Sequence, residues 1–317
     1  MPSSHPRQSS VDLDSPERPF DNIINFRDVG RTINQFVGKR VLKEGLLFRS
    51  ARLDDASERD KRRLADELHI ATIIDLRSST EHQMAASKRL SELASSASAP
   101  DPYPNPPTTN DIHLVDLPHC QRALISLTGK AFERTLLWRL DWWTFFKVLA
   151  LAASGYRTDA VTIVGQQVMS PRGLIGLGID TLDSSFGEMR DVFDLFATLP
   201  TDDTASPYPV IVHCTQGKDR TGLIIFLLLL VVGAVVPEDA MTADYVRSEG
   251  ELVVEAEERM KEIRVLGLSE DYTKCPDGFT REIHAHLNAR YGGVKGYLAQ
   301  VGVDEVKLER IRSILMA

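Results

Sequence analysis

A cysteine and an arginine separated by five residues carry the chemistry of this sequence. Cys214 and Arg220 stand in the segment from His213 to Gly222, with Gly217 midway between them. A cysteine thiolate is a strong nucleophile, and the planar guanidinium of arginine binds two phosphate oxygens at once. Such a pair can attack phosphorus in line and stabilise the charge of the transition state. The spacing therefore predicts an enzyme.

The flanking residues predict the elements that position this pair. Pro209 to Val212 is an apolar, β-branched run typical of a buried strand, and Leu223 to Val236 is typical of a buried helix. A loop between them can turn its N–H groups toward one centre, where the helix N-terminus adds roughly half a positive charge. We expect an oxyanion pocket that favours the thiolate form of Cys214. The hydroxyl of Thr221 can hydrogen-bond the departing sulfur.

This segment resembles the signature of the protein-tyrosine-phosphatase superfamily, which reads His-Cys, five residues, then Arg followed by Ser or Thr. Its inner part, Gly217 to Gly222, is similar to the microbial branch that acts on phosphotyrosine, phosphoserine/threonine and phosphoinositides. The resemblance covers about residues 20 to 317 and implies an α/β fold with a central sheet flanked by helices. The further matching stretches are Asn25 to Gly30, Phe48 to Ser50, Ile74 to Arg77, Tyr291 to Gly293, and Tyr297-Leu298.

The resemblance also implies roles for individual residues. Cys214 is expected to be the nucleophile and Arg220 the phosphate clamp. No tryptophan precedes a Pro-Asp pair, so the acid loop of animal tyrosine phosphatases is absent. Asp219 is the first candidate for the acid and Asp75 the second, although an Asp-x-Arg pair at a strand end is more often structural. The residues expected to contact substrate are Thr215, Gln216, Gly217, Lys218 and Thr221.

The expected reaction is hydrolysis of phosphate monoesters through a cysteinyl-phosphate. Phosphotyrosine proteins are the first expected substrates, and phosphoserine/threonine proteins are a further candidate. A phosphoinositide or inositol-phosphate substrate is the alternative, because the ammonium of Lys218 could contact a second phosphate. A non-catalytic phosphate-binding module is a remote alternative, since a binder needs no nucleophile. A nucleotide-binding P-loop fails, because Asp219 stands where Ser or Thr would hold magnesium.

Composition limits the remaining possibilities. The 317 residues carry a formal charge of -8 and 43% hydrophobic content, and the pI is about 5.6. An acidic chain argues against nucleic acid as a partner. Three cysteines, Cys120, Cys214 and Cys275, suggest no disulfide framework and favour a reducing, cytoplasmic location. The mechanism requires no cofactor, and no metal-ligand spacing is evident.

The composition of successive segments predicts a disordered tail over residues 1–21 and a single phosphatase domain over 22–317. Within the domain we expect a strand over Ile112 to Leu117, a mobile loop over 87–110 and a helical insert over about 121–170. Four further helices should follow Pro237, and the charged region 251–275 could cover the pocket. No apolar run reaches the ~20 residues needed to span a bilayer, which leaves only peripheral membrane contact.

The segment from Ala123 to Gly155 is unusually apolar and contains all three tryptophans of the chain, Trp138, Trp142 and Trp143. Apolar stripes at helical spacing usually face a core, and we favour a helix or helical pair packed on the domain. The alternatives are a lid over the active site and a membrane-facing insert. The oligomeric state is left open by the sequence.

Overall fold

The computed structural model describes residues 19–96, 111–198 and 206–317. The strands are β1 (Arg27–Asp28), β2 (Leu47–Ser50), β3 (Thr72–Asp75), β4 (Gln121–Leu124) and β5 (Val210–His213). The α-helices are α1 (Val29–Val37), α2 (Glu58–Arg62), α3 (Ser79–Ser96), α4 (Lys130–Trp138), α5 (Trp142–Ala153), α6 (Arg157–Val164), α7 (Ser170–Ser184), α8 (Phe186–Phe196), α9 (Asp219–Val232), α10 (Glu238–Glu251), α11 (Ala256–Val265), α12 (Phe279–Tyr291), α13 (Val294–Val301) and α14 (Glu305–Leu315).

The five strands form one sheet in the order β1-β2-β5-β3-β4. Only β1 is antiparallel to its neighbour, and the other pairings are parallel. The register sets Ser50, His213, Asp75 and Leu124 side by side at the carboxyl ends of the parallel strands. The loops that follow these strands therefore meet at one edge, which is where open α/β sheets bind ligands. This confirms the predicted α/β class.

The sheet owes its stability to apolar strands and to the helix that follows β5. All four residues of β2, β3 and β5 are buried, as expected for parallel strands covered on both faces. Helix α9 is buried almost throughout, from Leu223 to Leu229, and belongs to the main core cluster. The predicted buried helix behind the cysteine loop is confirmed.

Several predicted boundaries are wrong. The helix α3 continues to Ser96, so the first part of the predicted loop 87–110 is helical, and residues 97–110 lie outside the described part of the chain. The fourth strand is Gln121–Leu124, whereas Ile112 to Leu117 forms a turn and a bend followed by irregular chain. Alternation alone placed the strand too early, since of these two segments it is Gln121–Leu124 that hydrogen-bonds to β3. The helical insert accordingly begins at Lys130 rather than at about 121.

The ends of the domain also differ from expectation. Residues 1–18 of the predicted tail lie outside the described residues, but Phe20 is buried against Phe26 and the backbone N–H of Asp21 donates to Asp60. The domain therefore begins before residue 22. At the other end, the four predicted helices correspond to α10, α11, α12 and α14, while α13 was not predicted.

The tryptophans are not in the core. The segment does form a pair of helices, and α4 buries Phe132 and Leu136. The three tryptophans, however, are among the most exposed large apolar side chains of the described residues, so the expectation that they face the core is wrong. Helix α5 places only Val148 fully inside. Across the described ranges, no helix has both the length and the apolar character needed to cross a membrane.

Candidate active site

The cysteine loop lies at the carboxyl edge of the sheet, between the end of β5 and the start of α9. Cys214 directly follows the buried strand and is itself buried, as are Gln216, Lys218 and Thr221. Gly217 is left-handed, with φ of 66°, and a Cβ atom there would lie 1.9 Å from the carbonyl oxygen of Ser50. Only glycine allows the loop to pass this close to β2.

The loop carbonyls are bound on their outer side. The backbone N–H of Arg52 donates to the carbonyl of Thr215 at 3.0 Å, and Asn25 Nδ2 donates to that of Gln216 at 2.8 Å. The Nη2 atom of Arg49 donates to the carbonyl of Gly217 at 2.7 Å. Fixing these oxygens outward leaves the opposite N–H groups free to converge on an anion, which is the arrangement of an oxyanion cradle.

A buried ionic cluster holds these anchors. Asp244 accepts from Arg27 Nε at 2.7 Å and from Nη1 of Arg49, and Arg27 Nη1 donates to the side chain of Asn25. Burial opposes ionisation of Asp244, but the two guanidinium groups outweigh it and lower its pKa to about 2. Burial, with the nearby Arg27, lowers the pKa of Arg49 to about 10. The cluster therefore carries net positive charge behind the loop at neutral pH.

Arg220 forms a two-armed ion pair with Glu81 of α3. Its Nη1 and Nη2 atoms each lie 2.6 Å from one carboxylate oxygen, and the hydroxyl of Thr215 donates to the same carboxylate. The guanidinium has five N–H donors, and Nη1 also donates to the carbonyl of Leu76 at 3.4 Å. Nε and the second N–H of Nη2 remain available to a phosphate. Burial by itself would raise the pKa of Glu81 and lower that of Arg220. The opposite charge of the partner outweighs burial in both cases, so the pKa of Glu81 is lowered and that of Arg220 is raised.

Asp219 and Thr221 are placed beside the loop centre, at the first turn of α9. The carboxylate of Asp219 is partly exposed, with the Tyr245 hydroxyl 3.4 Å away and Lys218 Nζ 3.7 Å away. The buried hydroxyl of Thr221 has no hydrogen-bond partner among the described protein atoms. The carboxylate of Asp219 can exchange a proton with a bound substrate. The hydroxyl of Thr221 is free to hydrogen-bond a sulfur or an oxygen within the cradle.

Asp75 does not have the surroundings of an acid. It is fully buried, and Arg77 donates to it from both Nε and Nη2, the latter at 2.8 Å. Burial opposes ionisation, but His213 and Arg77 outweigh it and hold the pKa of Asp75 well below its usual range. Arg77 also binds Asp54 with two hydrogen bonds. The carboxylate is thus a structural ion pair, the commoner role for this pattern.

Lys218 does not extend toward substrate. Its side chain is fully buried, and Nζ donates to the carbonyls of Tyr272 at 3.0 Å and Lys274 at 2.6 Å. The expectation that this ammonium is free for a second phosphate is contradicted, because two main-chain oxygens and the nearby Asp219 occupy it. The lysine instead fastens the loop to the segment that follows α11.

Sequence reasoning missed several contributors to the site, among them Glu81, Asn25, Arg49 and Asp244. The stretches that contain Asn25 and Arg49 were recognised as matches, but nothing in them indicated that their side chains bind loop carbonyls. Glu81 and Asp244 gave no signal, because each meets its partner across more than 130 residues. Among the described residues there is no group of three or more His, Cys, Asp or Glu side chains that could hold a metal ion.

A parallel sheet whose central strand delivers a cysteine into an anion cradle, closed by an arginine six positions later, defines the class of cysteine-dependent phosphatases. The comparisons with known proteins agree. A model described as the tyrosine phosphatase family matches residues 18–317, and the chain belongs to that family. It is an enzyme that hydrolyses phosphoric monoesters.

Two relatives extend the comparison. The chain is 26% identical over 318 residues to the triple specificity protein phosphatase PtpB of Mycobacterium tuberculosis, covering 92% of this chain and 96% of that protein. It is 32% identical over 115 residues to a tyrosine-protein phosphatase of Nostoc commune, covering 32% of this chain and 37% of that protein. The first likeness covers most of the length of both proteins.

Proposed function

We propose that Cys214 hydrolyses phosphotyrosine, phosphoserine and phosphothreonine monoesters through a cysteinyl-phosphate. The observation that carries the proposal is the set of loop carbonyls fixed outward by Arg52, Asn25 and Arg49, which turns the loop N–H groups toward one centre. The breadth of substrate is supported by likeness to a relative named for triple specificity. Lys218 gives no reason to favour an inositol-lipid substrate, because its ammonium is bound to main-chain oxygens.

The reaction takes two displacements. The Sγ atom of Cys214 attacks phosphorus, the P–O ester bond breaks, and Asp219 gives its proton to the leaving oxygen. Asp219 then accepts a proton from water as the water oxygen attacks phosphorus. The P–S bond breaks, the thiolate is restored with a hydrogen bond from Thr221, and inorganic phosphate leaves. Arg220 and the loop N–H groups hold the equatorial oxygens throughout.

The nucleophile is tested by Cys214→Ser. Serine fills similar space but does not ionise near neutral pH, so turnover should disappear while inorganic phosphate still binds. Wild type and variant are assayed with a chelator present on phosphotyrosine, phosphoserine and phosphothreonine peptides and on soluble short-chain phosphoinositides. Cys120→Ser is the matched control, since Cys120 precedes β4 at the opposite edge of the sheet. Substantial turnover by Cys214→Ser would refute the mechanism, and a strong preference for the lipid would replace the proposed substrate.

The acid is tested by leaving group. Asp219→Asn should slow hydrolysis of alkyl phosphates, such as phosphoserine, much more than that of activated aryl phosphates, whose oxygen needs little protonation. Asp75→Asn should instead lower stability and affect both substrates alike, because Asp75 binds Arg77. A loss that depends on the leaving group in Asp75→Asn, with equal losses in Asp219→Asn, would exchange the two assignments.

A further inference from the structure

Helix α5 and the end of α4 present a connected cluster of exposed aromatic rings. Trp142 lies 4.6 Å from Trp143 and 6.1 Å from Phe146 between ring centroids, and Trp138 stacks on Phe145 at 5.9 Å. Exposed fractions are 75% for Trp138, 63% for Trp142, 71% for Trp143 and 57% for Phe146. We name these four residues the aromatic patch. A cluster of aromatic rings exposed to water to this extent indicates a binding surface.

The size of the aromatic patch separates two kinds of occupant. At about 200 Å² for a full aromatic side chain, the four exposed fractions amount to roughly 500 Å². A standard stable protein interface buries about 800 Å² on each partner. The patch alone is therefore small for a stable dimer of this chain, whereas insertion of a few rings into a bilayer interface needs no matching partner surface.

The chain segment that carries the aromatic patch is mainly basic. Lys130, Arg134 and Lys147 are exposed, and none forms an ion pair within the described chain. Only Glu133 and Asp141 oppose them between residues 130 and 156, so this segment is positive within a chain of formal charge -8. Tryptophan favours the headgroup level of a bilayer, and basic side chains beside it attract anionic lipids. We propose that α5 docks this protein on lipid bilayers that carry anionic headgroups.

The geometry of α5 suits a helix lying in the plane of the interface. Its 12 residues are too few to span a bilayer. Val148 faces the protein, while Trp142, Trp143, Phe146 and Leu149 remain outside. The helix thus has one side fixed on the domain and the other ready to enter the boundary between headgroups and acyl chains.

Docking at this surface would bring the bilayer close to the phosphate site. Thr128, whose hydroxyl lies 3.5 Å from Arg220 Nη1, is two residues before the start of α4. Helix α4 is about 14 Å long, so no more than about 20 Å of chain separates Thr128 from Trp138. The inference concerns where the enzyme works and does not depend on which phosphoester it hydrolyses.

The three tryptophans of the chain all belong to the aromatic patch, so their fluorescence reports on this surface alone. Full-length protein is mixed with vesicles of phosphatidylcholine, alone or with phosphatidylserine. With the anionic lipid, tryptophan emission should shift to the blue, brominated acyl chains should quench it, and added salt should weaken both effects. Trp142→Ser combined with Trp143→Ser should lower the partition coefficient measured by sedimentation about tenfold or more. Lys147→Gln should lower it about fivefold.

Phe36→Ser is the matched control, since Phe36 is 51% exposed on α1 and lies outside the aromatic patch. It should bind vesicles as wild type does. Unchanged emission with no co-sedimentation would overturn the proposal, as would a dimer that forms without lipid and disappears in the tryptophan variant. Turnover of a small soluble aryl phosphate should be the same in wild type and tryptophan variant, so failure of membrane docking is distinguished from failure of the phosphatase.

Discussion

Glu81→Gln tests whether α3 positions the phosphate-binding arginine. In the structure both carboxylate oxygens are engaged, by Arg220 at 2.6 Å on each side, by Thr215, and by the backbone N–H and hydroxyl of Ser78. Glutamine has the same shape but carries no charge and places an NH₂ group where one arm of the guanidinium now donates. One of the two arms must therefore break, and the guanidinium is free to rotate.

The magnitude follows from the contacts that are lost. A hydrogen bond to a charged group contributes about 1.5–3 kcal/mol, and the lower end applies because the Glu81 side chain is 29% exposed and partly screened by water. If the lost orientation appears mainly in the transition state, about 1.4–2 kcal/mol corresponds to a fall in kcat of about 10- to 30-fold. The Michaelis constant should change little, since the loop N–H groups still bind phosphate.

Steady-state kinetics on a phosphotyrosine peptide and inhibition by inorganic phosphate provide the measurement. Glu92→Gln, on the same helix and in an exposed pair with Arg89, is the control and should behave as wild type. A kcat within about twofold of wild type would refute the positioning role. Tighter phosphate inhibition with a raised kcat/KM would show instead that Glu81 competes with substrate for Arg220.

Two further predictions concern the supports of the loop. Lys218→Met should lower turnover on phosphopeptide and phosphoinositide by similar factors, because Nζ binds the carbonyls of Tyr272 and Lys274; a loss confined to the lipid would restore a substrate-reading role. Asp244→Asn should lower the free energy of unfolding by about 3 kcal/mol or more, measured by denaturant titration. The pKa of Asp244 is lowered to about 2, so its contribution to the free energy of unfolding is present above about pH 4 and is lost as the pH falls toward 2. The difference in that free energy between wild type and variant should therefore shrink over this range. A difference that stays constant would contradict the pairing.

The sequence predicted the parts of the site that are close together in the chain. Cys214, Arg220, Asp219 and Thr221 lie within eight residues, between a strand and a helix that each have a strong apolar pattern. The same locality explains the success with β5 and α9. Local pattern also predicted the loop cradle, because strand, glycine and helix N-terminus suffice to suggest it.

The rest depended on contacts distant in sequence. Nothing near Lys218 indicates that its ammonium will meet the carbonyl of Tyr272, 54 residues away. The prediction for the tryptophans of α4 and α5 was wrong for a different reason. Helical spacing shows that one face of a helix is apolar, but it does not show what covers that face. The strand over Ile112 to Leu117 was misplaced because alternation is weak over six residues, and only pairing with β3 decides which segment is the strand.

The buried cluster of Arg27, Arg49 and Asp244 is best understood through the loop rather than through stability. Apolar residues of similar volume often replace a buried ion pair without loss of stability, so net stabilisation is a weak reason for the cluster. Apolar side chains, however, could not donate to the carbonyl of Gly217, and that oxygen would then be unpaired or turn toward the phosphate. A carbonyl facing inward would repel an anion and remove an N–H donor. The two arginines therefore keep the cradle in its anion-binding form before substrate arrives, which is the preorganisation that phosphoryl transfer requires.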